Sequence, residues 1–480
     1  MDAMLERARR ALGPAAVLCL MAGAVAAQPA SSSWPMFHGG ADRRGLAAAA
    51  SIHTPQVRFA FQAADTIYLS SPVLGPDDAV YFGCVDGKLY ALEPGGTLRW
   101  AFQAGGPLRY SGPAVAQDGT VYVGGMDSTL YAVRANGTLR WSLRRGSTFR
   151  SSPLILPGGD IVVGNGDNLA YRFTASGAPV WSFPTLGNVR SSPAVGPSDD
   201  IYFGSFDAHV YALHGNGTLH WSGTTGDIID LASPAVGPDS TIYQGSEDRF
   251  LYALTPAGGV RWVFSDNTNI DTTPCVRADG VVVVATGSHI AALEPSNGTV
   301  LWRFFAGNVI RSSPVATADG AVYFGSDDST FYCLEPTGTL RWSFPTGSSI
   351  RTSPAVGADG SVYFGTWDGR LIALGETPAV SVPRPVPFSG LFLASPWPSP
   401  ARTAESVRFR APPGGTARLD VFDVAGRRVC RMWEGAGDGV DRRATWNLVD
   451  DAGRRVPPGV YHLLLAAGAA SVSRRLVVLP

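Results

Sequence analysis

Charge is scarce in this chain: charged residues make up 16% of the 480, and the formal net charge is −1. No block of basic residues occurs, which excludes a surface built to neutralise nucleic-acid phosphates. Cysteine is scarce too, five in all, with no Cys-x-x-Cys and no adjacent pair. The four beyond residue 27 are Cys84, Cys275, Cys333 and Cys430, at unmatched places in the chain. They read as buried free thiols rather than a disulfide framework or a metal knuckle. Beyond residue 27 there is no apolar run long enough to span a bilayer. Glycine (57) and proline (36) are plentiful, which fits a fold with many tight turns.

The first residues have the plan of a secretory signal peptide. Arg7, Arg9 and Arg10 precede the apolar stretch Ala11 to Ala24, and Val25-Ala26-Ala27 offers small residues for cleavage ahead of Gln28. Cys19 follows Leu18 where a lipobox wants a small residue, so lipidation is not expected. Residues 28–56 read as a lead-in whose Trp34-Pro35-Met36-Phe37-His38-Gly39-Gly40 packs on the domain that follows.

That domain is a repeat. One spacing separates Pro72 from Trp100, and it recurs unchanged between Pro113 and Trp141, Pro153 and Trp181, Pro193 and Trp221, Pro234 and Trp262, Pro274 and Trp302, and Pro314 and Trp342. The return from each tryptophan to the next proline differs by a single position between units, so length varies only in that connection. Within a unit, Ser313-Pro314-Val315-Ala316, Ala321 to Gly325, Phe331 to Leu334 and Leu340 to Phe344 are strand-like runs separated by Asp-Gly, Asp-Asp-Ser and Pro-Thr-Gly turns. Four short antiparallel strands in each unit of roughly 40 residues describe one propeller blade.

The proline occurs an eighth time, at Pro354, but the same count onward reaches Val382 in a proline-rich stretch. Arg58-Phe59-Ala60-Phe61 matches Arg99-Trp100-Ala101-Phe102 and precedes the first unit. The expectation is therefore an all-β protein with an eight-bladed propeller over residues 57–375, closed by an N-terminal strand that removes the exposed edge. Residues 376–392 read as a stiff Pro-rich linker. Residues 393–480 carry short period-two runs, such as Ala417 to Phe422 and Val460 to Leu463, expected to form a small Ig-like β-sandwich.

The repeats resemble the PQQ-like, quinoprotein-type propeller motif Ala-x-Asp-x-x-Thr-Gly-x-x-x-Trp, best matched by Ala292, Glu294, Asn297, Gly298 and Trp302. The resemblance implies that Trp100, Trp141, Trp181, Trp221, Trp262, Trp302 and Trp342, with Phe59 in the closing blade, dock between neighbouring blades. A flat ring filling the wedge between twisted sheets agrees with that role. The C-terminal part resembles the FlgD-like Ig fold and the sorting domains of type IX secretion, through Leu419 to Arg427, Trp446-Asn447, Asp451-x-Gly453 and Pro458-Gly459-Val460-Tyr461. It departs from them at Ser399-Pro400 and Arg474-Arg475.

Two sets of polar residues repeat with the blades. Asp86, Asp127, Asp167, Asp207, Asp248, Asp328 and Asp368 share one position counted from the proline, with Ser288 as the exception, and read as turn residues accepting backbone N–H groups. In the variable connection stand Tyr68, Arg109, Arg150, Arg190, Asp230, Asp271, Arg311 and Arg351. With the Ser-Pro strand innermost, these side chains ring one mouth of the central channel, either as a closed salt-bridged ring or as a seat for a carboxylate-bearing ligand or an acidic peptide. His209, His214 and His220 fall on different turns and strands, so a metal site is not expected there.

These residues lead to an exported, non-enzymatic binding or scaffold propeller, monomeric, facing a protein or polysaccharide at the cell envelope. The place is outside the cell, on its surface or on the periplasmic face of the outer membrane, with the C-terminal domain serving secretion or attachment. No cofactor is expected. The resemblance also implies two alternatives: a BamB-like scaffold for outer-membrane protein assembly, and a PQQ-dependent alcohol or sugar dehydrogenase with calcium.

Overall fold

The computed structural model describes residues 32–376, 391–393, 404–412, 414–439, 442–468 and 470–479. The signal peptide with Cys19, most of the Pro-rich linker and Ser399-Pro400 lie outside them. Among the described residues every element is a strand.

Residues 56–375 form eight four-stranded antiparallel sheets, each with the plan of a propeller blade. The first takes its strands in chain order: Val73–Leu74, Val80–Gly83, Lys88–Leu92 and Leu98–Gln103. The two middle strands are almost wholly buried, because each sheet is covered on both faces by its neighbours. From Trp100 onward the fourth strand alternates between half-buried and exposed.

The eighth sheet is assembled from both ends of this region. Gln56–Gln62 pairs antiparallel with Arg370–Gly375, outside Val362–Gly365 and Ala355–Val356. Phe59 sits opposite Ala373 as Trp100 sits opposite Ala91 and Trp141 opposite Ala132. The phenylalanine thus holds the register slot of the missing tryptophan.

Hydrogen bonds run from sheet to sheet through the residue before each proline. The backbone N–H of Gly112 donates to Ser152 Oγ, Ser152 to Ser192, Ser192 to Ser233, Ser233 to Thr273 Oγ1, Thr273 to Ser313, Ser313 to Ser353 and Ser353 to Ser71. Gly112 has no hydroxyl to continue the series, and Ser70 Oγ instead donates to Ser111 O at 2.9 Å. Buried N–H groups in a crowded channel need partners, and a short hydroxyl from the next sheet supplies one without filling the space.

The lead-in lies across the far end of these inner strands. Leu74 N–H donates to Trp34 O, Val115 to Pro35 O, Val195 to Ala41 O, Val236 to Asp42 O, Val276 to Arg44 O and Ala316 to Gly45 O. One segment thereby visits six of the eight sheets in turn. Farther on, Ile52 O accepts Trp342 Nε1–H at 2.7 Å, in the place a turn fills for the other tryptophans.

In the C-terminal part Phe392–Leu393, Glu405–Arg410 and Arg442–Trp446 form one sheet. Arg428–Gly437, Gly415–Asp423, Gly459–Ala467 and Ala470–Val478 form another. Phe409, Leu419, Val421, Trp446, Leu463, Leu465 and Leu476 make one apolar core with residues from both sheets. Cys84, Cys275, Cys333 and Cys430 are all buried and free.

Candidate functional site

Each inner strand is entered from the variable connection, and the connections converge on a cavity of about 400 Å³ lined from all eight sheets, with Phe37 of the lead-in. Tyr68, Arg150, Arg190, Asp230, Asp271 and Arg311 line it. Arg109 and Arg351 stand beside it, each against the Tyr68 ring. The inner strands hold these residues at one end because the residue before each proline is tied into the series of sheet-to-sheet hydrogen bonds.

The charges at this mouth are unevenly answered. Arg190 Nη1 donates to Asp230 Oδ1 at 3.1 Å and its guanidinium stacks 4.0 Å from the Phe206 ring centre. Arg351 holds Asp327 with both Nε (2.7 Å) and Nη2 (3.0 Å), and lies 4.1 Å over Trp367. Arg311 approaches the same Asp327 at 3.4 Å. Arg109 lies 4.2 Å over Tyr68, and Arg150 lies 4.5 Å over Tyr110. Arg109 Nε and Arg150 Nε are buried without a hydrogen-bond partner. On the other side Asp271 Oδ1 is likewise buried without one.

Burial and the nearby Asp230 raise the Asp271 carboxyl above its ordinary value, and burial with Asp271 and Asp230 raises Glu247. Burial and the charge of Arg190 lower Arg150. The mouth therefore has a cationic arc, Arg109 and Arg150, and an acidic arc, Asp230, Asp271 and Glu247. Both are partly desolvated, so a ligand bearing the complementary charge meets groups that have already lost much of their hydration.

The ring of eight connection residues leaves out part of what faces the mouth. Phe206, Glu247, Asp327 and Trp367 each stand immediately before the turn aspartate of their sheet, at Asp207, Asp248, Asp328 and Asp368. That position has no common residue type. The aspartates that follow are turn residues. Asp207 Oδ1 accepts His209 N–H and Oδ2 accepts Tyr211 O–H, and Asp248 does the same with Phe250 and Tyr252.

The tryptophans lie between sheets, away from the mouth. Nε1–H donates to a turn carbonyl of the next sheet: Trp100 to Ala135, Trp141 to Ala175, Trp181 to Gly215, Trp221 to Pro256, Trp262 to Pro295 and Trp302 to Pro336. The rings rest on glycine. A Cβ on Gly217, which has φ +87°, would stand 2.6 Å from Trp181 Cγ, and one on Gly96 would collide with the Phe59 ring. Only glycine satisfies both the left-handed turn and the stacked ring.

The sequence spreads three histidines of the fourth sheet over different turns and strands. The structure joins two of them: His214 Nδ1 is 2.8 Å and His220 Nδ1 3.0 Å from the two carboxylate oxygens of Asp200. His209 instead bonds to Asp207 O.

A family model described as outer membrane protein assembly factor BamB matches residues 85–228, 207–313 and 289–379. No curated protein matches the sequence. Among solved structures, a europium-containing methanol dehydrogenase is 13% identical, covers 72% of this chain and 98% of its own, and has TM-score 0.62. Quinohemoprotein alcohol dehydrogenase from Comamonas testosteroni is 14% identical over 73% of this chain and 82% of its own, at TM-score 0.61. BamB from Moraxella catarrhalis is 19% identical over 67% of this chain and 100% of its own, at TM-score 0.56.

At these identities the likeness shows the fold, a β-propeller. It also corrects the expectation that the chain is not an enzyme: dehydrogenases and BamB share the fold, so the architecture does not separate a scaffold from a catalyst. At the mouth the rings of Tyr68, Tyr110, Phe206 and Trp367 each carry a guanidinium on a face.

Proposed function

The chain belongs to the family of outer membrane protein assembly factor BamB, and from that premise we propose that it is an exported propeller of eight blades, closed by Gln56–Gln62, that recognises an acidic segment of a protein partner at the cell envelope. The segment's carboxylate docks on the cationic arc of Arg109 and Arg150. The Ig-like C-terminal sandwich serves attachment or secretion.

The observation that carries this reading is the pair of buried, unanswered guanidinium nitrogens, Arg150 Nε at the open cavity and Arg109 Nε beside it. An arginine held flat on a tyrosine keeps the edge of its fork free for a carboxylate, and the charge-assisted bond so formed is stronger than a neutral one. Among the described residues no helix is long and apolar enough to cross a membrane.

Fluorescence anisotropy with a labelled Glu-rich peptide tests the reading. Binding is expected to weaken with salt and to be lost in the charge reversal Arg109→Glu/Arg150→Glu, while a Lys-rich peptide of equal length does not bind. Peptide binding that survives the double variant places recognition elsewhere and removes the mouth from the proposal.

A further inference from the structure

On the outer rim of the sheets a pairing recurs. The arginine one residue before the tryptophan slot reaches an aspartate in the turn between the first two strands. Arg99 bonds to Asp77 at 2.6 Å, Arg140 to Asp118 at 2.8 Å, Arg261 to Asp239 at 2.5 Å and Arg341 to Asp319 at 2.9 Å, and Arg58 bonds to Asp359 in the closing sheet. In the first and seventh sheets a glutamate at the end of the third strand, Glu93 or Glu335, grips the same arginine.

The fourth sheet has Ser198 at the place of Asp77, carries its acid two residues further along the same connection, and changes the rest. The arginine is His220, the glutamate position is His214, and the acid is Asp200, in the same turn. The two imidazoles stack, with ring centres 4.5 Å apart and planes 24° apart. Each places Nδ1 on one oxygen of the Asp200 carboxylate, at 2.8 and 3.0 Å. The carboxylate is only 6% exposed, whereas His214 is 49% and His220 35% exposed, so the cluster is anchored from below and open to solvent above.

We propose that His214, His220 and Asp200 form a binding site for a divalent transition-metal ion of the zinc class. One ligand atom from each residue lies within 4.8 Å of the other two. Two ligands at about 2.0 Å from a tetrahedral ion stand about 3.3 Å apart, close to the 2.8 and 3.0 Å already set between nitrogen and oxygen. An ion therefore enters by rotation of the two rings, displacing the proton that each Nδ1 donates to Asp200 and leaving each ring protonated on Nε2 alone. Water completes the coordination at the exposed side. Imidazole and carboxylate suit zinc, whereas the guanidinium that the other sheets use cannot ligate. The ion ties the first turn, the end of the third strand and the outermost strand of one sheet, where its sisters use a salt bridge.

The test is calorimetric titration of the full, untagged, EDTA-treated chain with zinc chloride. One site per chain is expected, with affinity at least about tenfold weaker in His214→Gln and in Asp200→Asn. The decisive variant is His220→Arg, which puts the arginine of the sister sheets beside Asp200. It is expected to keep the metal-free melting temperature and to lose the site. Saturable binding that persists unchanged in His220→Arg, or no saturable binding by the wild type below about 0.1 mM zinc, overturns the proposal. A His220→Arg chain that fails to fold is circumvented by His214→Gln, whose unchanged zinc affinity has the same consequence.

Discussion

The two ends of the inner strands handle buried charge in opposite ways. At the end crossed by the lead-in, Arg43 is fully buried, yet its guanidinium donates to the carbonyls of Phe37, Ser152, Pro153 and Pro193. Burial lowers its pKa to about 9, which still leaves the ion charged at neutral pH. Beside it His38 lies between Arg43 O (2.7 Å) and Pro314 O (3.0 Å). At the mouth, by contrast, Arg109, Arg150 and Asp271 each keep a buried polar atom unanswered. One end uses charge to satisfy carbonyls that project into the channel. The other leaves charge in suspense, which is an arrangement for meeting something outside the chain.

The comparison breaks most visibly at Arg43. Arg43→Met takes the guanidinium donors away from four carbonyls, and the expected loss is about 4 kcal/mol or more, read by urea denaturation. A loss under about 1 kcal/mol, the scale of an ordinary surface change, would show that water replaces the guanidinium and that the lead-in is no seal.

His38 sharpens the same end through pH. Burial outweighs its two carbonyl neighbours and lowers its pKa from 6.5 to about 4. Between those values the unfolded chain binds a proton that the folded chain refuses, so this group's stabilisation is complete above pH 6.5 and is lost as pH falls toward 4. The shift corresponds to about 3 kcal/mol. His38→Gln is expected to flatten the stability profile over that pH window by the same amount, and a profile parallel to wild type contradicts a neutral His38.

What the sequence disclosed follows the strength of local constraint. The strands, the turn aspartates and the slot of Phe59 are legible because hydrogen-bond register repeats with every blade and any slip turns a side chain to the wrong face. The lead-in is legible only as something that packs: its bonds to Val115, Val195, Val236 and Val276 are backbone to backbone and leave no mark on side-chain identity. The mouth is half legible. Arg351 stands out in the connection, but its partner Asp327 belongs to the preceding sheet, hidden beside the uniform turn aspartate Asp328. The His214 and His220 pair escapes a reading that takes strands singly, although comparing each with its sister positions marks both as departures.

The smallest expected effect separates the two ends most cleanly. Arg150→Met deletes the same ion as Arg43→Met, but here the Nε has no bond to break. The methionine stem keeps the contact with Tyr110 that the guanidinium makes at 4.5 Å. Exchanging a desolvated, unpaired ion for an apolar side chain of similar length is neutral or stabilising, so the variant should unfold within about 0.5 kcal/mol of wild type, or later. Peptide affinity should nevertheless fall, since the carboxylate loses a charged donor. A variant destabilised as much as Arg43→Met would mean that Arg150 is a structural ion with a partner in the fold, and the mouth would then be a second seal rather than a seat.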